Sequence, residues 1–108
     1  MDFEAKIAEL GLLIPKPAKP AGSYKPCVIV DNIAYISGQG PLLEDGSFAK
    51  GKVGEDIDLE TAQNHAKLCG LAILSALKNE VGSLNKVDQL IKLTGFVNCL
   101  ESFTQQPL

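Results

Sequence analysis

The sequence contains no arginine and no tryptophan, and its 108 residues include one histidine, one methionine and three cysteines. All ten basic residues are therefore lysines. Lacking arginine's planar fork, these residues offer no bidentate partner for a carboxylate or phosphate. His65 has no second ligand at zinc-motif spacing, which argues against a metal site. Cys27, Cys69 and Cys99 are odd in number and form no Cys-x-x-Cys pair. They fall in apolar strand and helix patterns and read as buried free thiols of a reducing compartment. No apolar run approaches the length of a membrane span, and acidic residues stand where a signal peptide would carry basic ones. A net charge of −3 and a pI of about 5.0 argue against nucleic acid or an anionic membrane as partner. Lys16, Lys19 and Lys25 form a mild basic cluster that reads as solubilising. A soluble, cytoplasmic protein is expected.

What is present suits one small folded domain spanning 1–108: 45% of residues are hydrophobic and 21% charged, near globular averages. Residues 2–11 predict a short helix with Phe3, Ile7 and Leu10 on one side, Asp2 and Glu4 suiting its N-terminal turn and Gly11 as its stop. A proline-rich arm, 14–26, predicts an extended, polyproline-like connector. In the core that follows, 27–108, two apolar runs flank Asp31-Asn32 and predict a tight hairpin with strands near 27–31 and 33–37. Asp45-Gly46 is a second turn signal, with a short, weaker strand around 47–50. The longest periodic stretch, 58–82, predicts a helix capped by Asp58 and ended by Gly82. Its apolar stripe is Leu59, Ala62, Ala66, Cys69, Ile73, Ala76 and Leu77, and Gly70 suggests a close helix contact. His65 lies off that stripe and reads as solvated. Alternation over 87–98 predicts a further strand, Ile91, Leu93 and Val97 on one face, Leu90, Lys92, Thr94 and Phe96 on the other. "LESFTQQPL" predicts the start of another helix with Phe103 turned inward. Strands laid against one long helix make an α+β domain with helices on one sheet face. As written, the sheet has an unprotected edge.

The stretch "AYISGQGPL", residues 34–42, runs from a strand into a Ser-Gly-Gln-Gly-Pro turn. Glycines there imply a sharp bend or a close approach to the backbone. Ser37 is either ordinary punctuation at a strand end or part of a site lining. It has no partner histidine or acid at a recognisable motif, so it does not read as a covalent nucleophile. Tyr24 either covers the hairpin or presents its hydroxyl to a ligand.

Taken in order, "PAGSYKP", "YISGQGPL", "GKVGEDIDLETAQNHAKLCGLAILSALK" and "KLTGFVNCLESF" resemble the reactive intermediate deaminase (Rid) family, also called YjgF-like or endoribonuclease L-PSP, in its subgroup with a longer N-terminus. The resemblance implies a chorismate-mutase-like α+β subunit in a homotrimer, with ligand clefts between adjacent subunits. It implies hydrolysis of reactive imines or enamines to a ketoacid and ammonia, with no metal or organic cofactor. Carried onto this chain, it implies that Tyr24, Ser37, Gly38 and Gln39 contact a small imino or keto acid. Phe96 and Phe103 match apolar positions near the cleft wall, and Asn98 and Cys99 begin the loop after the fourth strand. The family's arginine and water-orienting glutamate are expected beyond residue 108, so the catalytic residues are not assigned. The natural chain is accordingly expected to be longer, its last helix and strands outside these residues. The alternatives are a non-catalytic, small-molecule-binding or chaperone-like trimer and, least supported, a ribonuclease. The ribonuclease reading lacks a histidine pair, a metal cluster and a basic stripe with interleaved aromatics.

Overall fold

Asp31 and Asn32 set the central hairpin. In the computed structural model, which describes residues 2–17 and 22–108, β1 (Cys27–Val30) and β2 (Ile33–Ile36) are antiparallel, with Cys27 opposite Ile36 and Val30 opposite Ile33. Asp31 has φ 49° and Asn32 φ 64°. Positive φ at both central residues is what a two-residue type I′ connection needs, and Asp and Asn adopt it at lower cost than other side chains. One hairpin face carries buried Cys27 and half-buried Ile36; the other carries Val28, Val30, Ile33 and Tyr35, all exposed.

The hairpin packs against α2 (Leu59–Val81) through both strands. Asp58 caps this helix, its carboxylate accepting from the Thr61 N–H at 2.8 Å. Gly82, with φ 88°, ends it by donating its amide to the Lys78 carbonyl at 2.8 Å. Both are positions where the sequence carries the residue that the geometry favours. Burial on α2 is greatest at Ala72, Ser75 and Ala76. The expected stripe is thus shifted: Cys69, Ile73 and Leu77 are half-buried and Ala66 is exposed. The reason is that α2 is covered from a second direction. The Ser75 hydroxyl donates to the Pro15 carbonyl at 2.6 Å, bringing the N-terminal arm over the helix. His65 is half-buried rather than solvated, and a side chain at Gly70 would meet nothing within 4 Å, so no close helix contact exists there.

The N-terminal helix α1 (Phe3–Glu9) begins at Asp2, which accepts from the Ala5 N–H at 2.9 Å. It lies on a 3₁₀ turn, Leu84–Lys86, that follows α2 and touches both helices. Leu84, at the centre of this junction, is the most buried large side chain among the described residues, 1% exposed. The middle of the proline-rich arm, 18–21, with Lys19 and Pro20, lies outside the described residues.

Three expected elements are not realised. The weak strand at 47–50 reduces to a single antiparallel bridge, Leu42 with Phe48, around the Asp45-Gly46 turn. The Asp45 carboxylate folds that turn by accepting from both the amide and the hydroxyl of Ser47, at 2.9 and 2.6 Å. Residues 87–98 form no strand ladder, because no partner strand runs beside them among the described residues. Both of their alternating faces are exposed, with Leu90 at 75% and Ile91 at 68%, so neither is the inner one. A helix from residue 100 is replaced by two isolated turns, Phe103 donating to Leu100 and Leu108 to Gln105, both at 3.0 Å. The segment is held where Val53, itself buried, donates to Asn98 at 2.9 Å and accepts from the Leu100 amide at 3.1 Å.

Two tests follow from this packing. Leu84→Ala empties the junction of α1, α2 and the 3₁₀ turn, and it should cost about 2–5 kcal/mol in urea unfolding, as buried Leu→Ala truncations do. Three carboxyls are held below their ordinary values by what they accept: Glu4 by the Lys78 ammonium, Asp45 by the Ser47 hydroxyl and amide, Asp58 by the Thr61 side chain and amide. Folded values below unfolded ones mean that this stabilisation is present above the unfolded pKa and is lost as pH falls through the folded one. Urea midpoints should therefore begin to drop as pH passes below the ordinary glutamate value of 4.5. A midpoint that stays level down to pH 3 would contradict the assignment.

Candidate functional site

Ser37 follows β2 directly, so the hairpin register determines where its hydroxyl sits. Its amide donates to the Pro26 carbonyl at 2.9 Å, extending the ladder by one bond beyond the Cys27–Ile36 pair. Its hydroxyl approaches the same carbonyl at 3.4 Å, a weak contact that leaves the oxygen's lone pairs available. Gln39 turns back over this point, its side-chain amide donating to the Ser37 carbonyl at 3.4 Å. Gly38 is exposed, has nothing within 4 Å where a Cβ would lie, and among the described residues its amide makes no hydrogen bond. Neither Gly38 nor Gly40 has positive φ. The close approach expected at these glycines is real at Gly40 alone. There the Phe48 ring lies 2.9 Å from the place of a Cβ, so any side chain would push the ring away.

Ser37, Gln39 and the Pro26 carbonyl are thus brought together at one end of the hairpin. Tyr24, two residues before Pro26, is half-exposed, its ring beside Gly22. The two phenylalanines behave differently. Phe103 is half-buried where its turn closes on Leu100, and the Gln106 side chain donates to its carbonyl at 2.8 Å. Phe96 is 95% exposed and lines no wall among the described residues. Asn98 is used through its backbone, at Val53, and Cys99 is half-buried with the Gln106 amide 3.7 Å from its sulfur.

The chemistry available here is binding rather than nucleophilic attack. Among the described residues no base contacts Ser37. All three cysteines are free, and burial pushes the Cys27 and Cys69 thiols up, keeping them protonated. Cys27 is buried as expected, whereas Cys69 and Cys99 are only half-buried. Among the described residues no three His, Cys, Asp or Glu side chains are grouped to hold a metal ion. A shallow concavity lined by Gly54, Glu55, Asp56, Ile57, Asp58 and Thr61 shares no residue with the Ser37 cluster. Two of its acids are already occupied, Asp58 as the helix cap and Asp56 accepting from the Lys52 amide at 3.0 Å. Sequence reasoning missed the part of Phe48 in shaping the turn. The signal for it was Asp45-Gly46, which folds Phe48 back toward Gly40.

Residues 4–108 match the family described as "YjgF/chorismate mutase-like, putative endoribonuclease". The chain belongs to that family. Protein TCP17 of Trypanosoma cruzi is 32% identical over 102 residues, which are 94% of this chain and 64% of TCP17. This chain therefore spans a little under two thirds of that relative. A crystal structure titled as a "putative endoribonuclease" from Shewanella oneidensis superposes with a TM-score of 0.92 at 29% identity, over 99% of this chain and 71% of that one. Protein Atu1372 of Agrobacterium tumefaciens, whose title gives its function as unknown, is similar at TM-score 0.82 and 40% identity, over 96% of this chain and 64% of its own. The YjgF-like α+β fold is shared across these proteins.

Because the hairpin turn aims Ser37, its geometry is testable. Asn32→Ala puts a side chain without Asn's local bonding into φ 64° and should cost about 1 kcal/mol, while Asn32→Gly should be neutral or stabilising. Equal stability of the two variants in urea would show that the turn is not held in that conformation.

Proposed function

We propose that the chain supplies one wall of an intersubunit cleft in which a small imine or enamine is hydrolysed. The observation that carries this reading is the hydroxyl of Ser37 beside the unbonded amide of Gly38 at the exit of β2, in a member of the YjgF-like family. An imine carbon is already electrophilic. Its hydrolysis needs an oriented water and a place for developing charge more than a strong nucleophile. Water adds to the C=N carbon, nitrogen takes up the proton, and the carbinolamine collapses to a carbonyl and ammonia. In this scheme Ser37, the Gly38 amide, Gln39 and Tyr24 hold the polar end of the substrate, with Phe103 and a neighbouring subunit's Phe96 as apolar walls. A homotrimer is proposed because the resemblance implies one and because Phe96, 95% exposed, leaves an apolar surface that a neighbouring subunit could cover. The compartment proposed is the cytoplasm; no helix among the described residues is long and apolar enough to cross a membrane.

A non-catalytic binding trimer is the second reading, favoured by the absence of arginine from these residues, since lysine holds a carboxylate only as a point charge. RNA cleavage has less support: the net charge is −3 and no histidine contacts Ser37.

The deciding assay generates an imino acid in situ with an amino-acid oxidase and follows ketoacid release by the purified oligomer. Acceleration over the spontaneous rate is expected, with Ser37→Ala lowering kcat/KM by about tenfold, the worth of one hydrogen bond to a polar transition state. A ketoacid-induced rise in melting temperature without turnover would replace the enzyme reading with the binding one. Release of RNA fragments without imine turnover would overturn both.

A further inference from the structure

The polar contacts that join the N-terminal segment to the rest of the chain converge on Glu4. One carboxylate oxygen sits 3.0 Å from the Lys78 ammonium near the end of α2, and the other accepts from the Leu84 amide at 3.3 Å. The Glu4 backbone amide in turn donates to the Asn85 side chain at 2.9 Å. The second fastening is the Ser75 hydroxyl on the Pro15 carbonyl at 2.6 Å. Between these points no side chain of α1 is fully buried: Phe3 and Ile7 are half-buried, Leu10 is 58% exposed and Leu13 84%. A helix of seven residues is too short to persist in water without docking. Once undocked, the segment would therefore not keep α1.

We propose that residues 2–15 form a releasable strap, fastened by Glu4 and Ser75, that opens as a unit while α2 and the hairpin stay folded. What it covers makes the opening consequential. Leu84 and Ser75, 1% and 3% exposed, lie at the two fastening points. Release uncovers the groove between the C-terminal half of α2 and the 3₁₀ turn. The strap is thus a conformational switch on the helical side of the sheet, using no residue of the Ser37 cluster, and it stands whether or not the proposed hydrolysis is correct.

Hydrogen exchange on the full chain tests it. In the unmutated protein at low urea, the bonded amides of Lys6, Leu10 and Leu12 should exchange through an opening with weaker urea dependence than the amides of Ala72–Lys78. Glu4→Gln should speed exchange at Lys6, Leu10, Leu12 and Leu84 by about three- to tenfold, leaving Ala72–Lys78 unchanged. Equal urea dependence in the two regions overturns the proposal, as does a Glu4→Gln variant that speeds α2 equally or leaves the strap unaffected. If Glu4→Gln fails to fold, the urea series on the unmutated chain decides alone.

Discussion

The short face that α2 presents at Ala72, Ser75 and Ala76 is the contact on which the other elements depend. Small side chains there let neighbouring backbone come close, and they are reached from more than one direction. The hairpin packs on α2 through both strands, and the arm closes on Ser75 through the Pro15 carbonyl. A buried hydroxyl on a helix face must find an acceptor, and here the acceptor belongs to a residue sixty positions away in sequence. That one bond ties the N-terminal arm to α2. Leu84 completes the arrangement by filling the corner where α2 stops at Gly82 and the chain turns under α1.

Much apolar surface is left over. Val28, Val30, Ile33 and Tyr35 form a continuous exposed hairpin face, and Leu90, Ile91, Leu93 and Phe96 are more exposed still. Single exposed apolar residues are ordinary on protein surfaces, but two contiguous groups of this size are not. Both lie on strand-forming sequence, and among the described residues neither carries a helix. They are consistent with the proposed assembly of sheets between subunits, in which Ser37 at the exit of β2 would meet a surface supplied from outside the chain.

The electrostatic character follows from a basic set made of lysine alone. Lysine satisfies a carboxylate as one flexible point charge, and at the Glu4–Lys78 pair the second carboxylate oxygen is completed by the Leu84 amide instead. Four aspartates act on nearby backbone: Asp2 and Asp58 cap helices, Asp45 and Asp56 fold turns. These four carboxylates thus serve local structure, and two of them, Asp56 and Asp58, line the concavity before α2.

Local chemistry was readable from the sequence wherever neighbouring residues decide the outcome. Asp31-Asn32 specified the hairpin and its register because positive φ at two successive residues leaves one way for the strands to pair. Asp58 and Gly82 marked both ends of α2 because unsatisfied backbone groups at helix termini select those residues. Asp2 and Gly11 did the same for α1. The family could be named from four motifs in order, and the place of Ser37 at the strand exit followed from the hairpin. The tertiary structure alone decided everything that needs a partner remote in sequence. Residues 87–98 alternate like a strand, yet alternation cannot supply the neighbouring ladder that makes one. The buried band of α2 keeps Ala76 from the expected stripe but adds Ala72 and Ser75, the latter covered by Pro15, a contact that periodicity cannot announce. Glu4 looked like a helix-terminus acid and became the fastening of the N-terminal segment, since only folding brings Lys78, Leu84 and Asn85 to it.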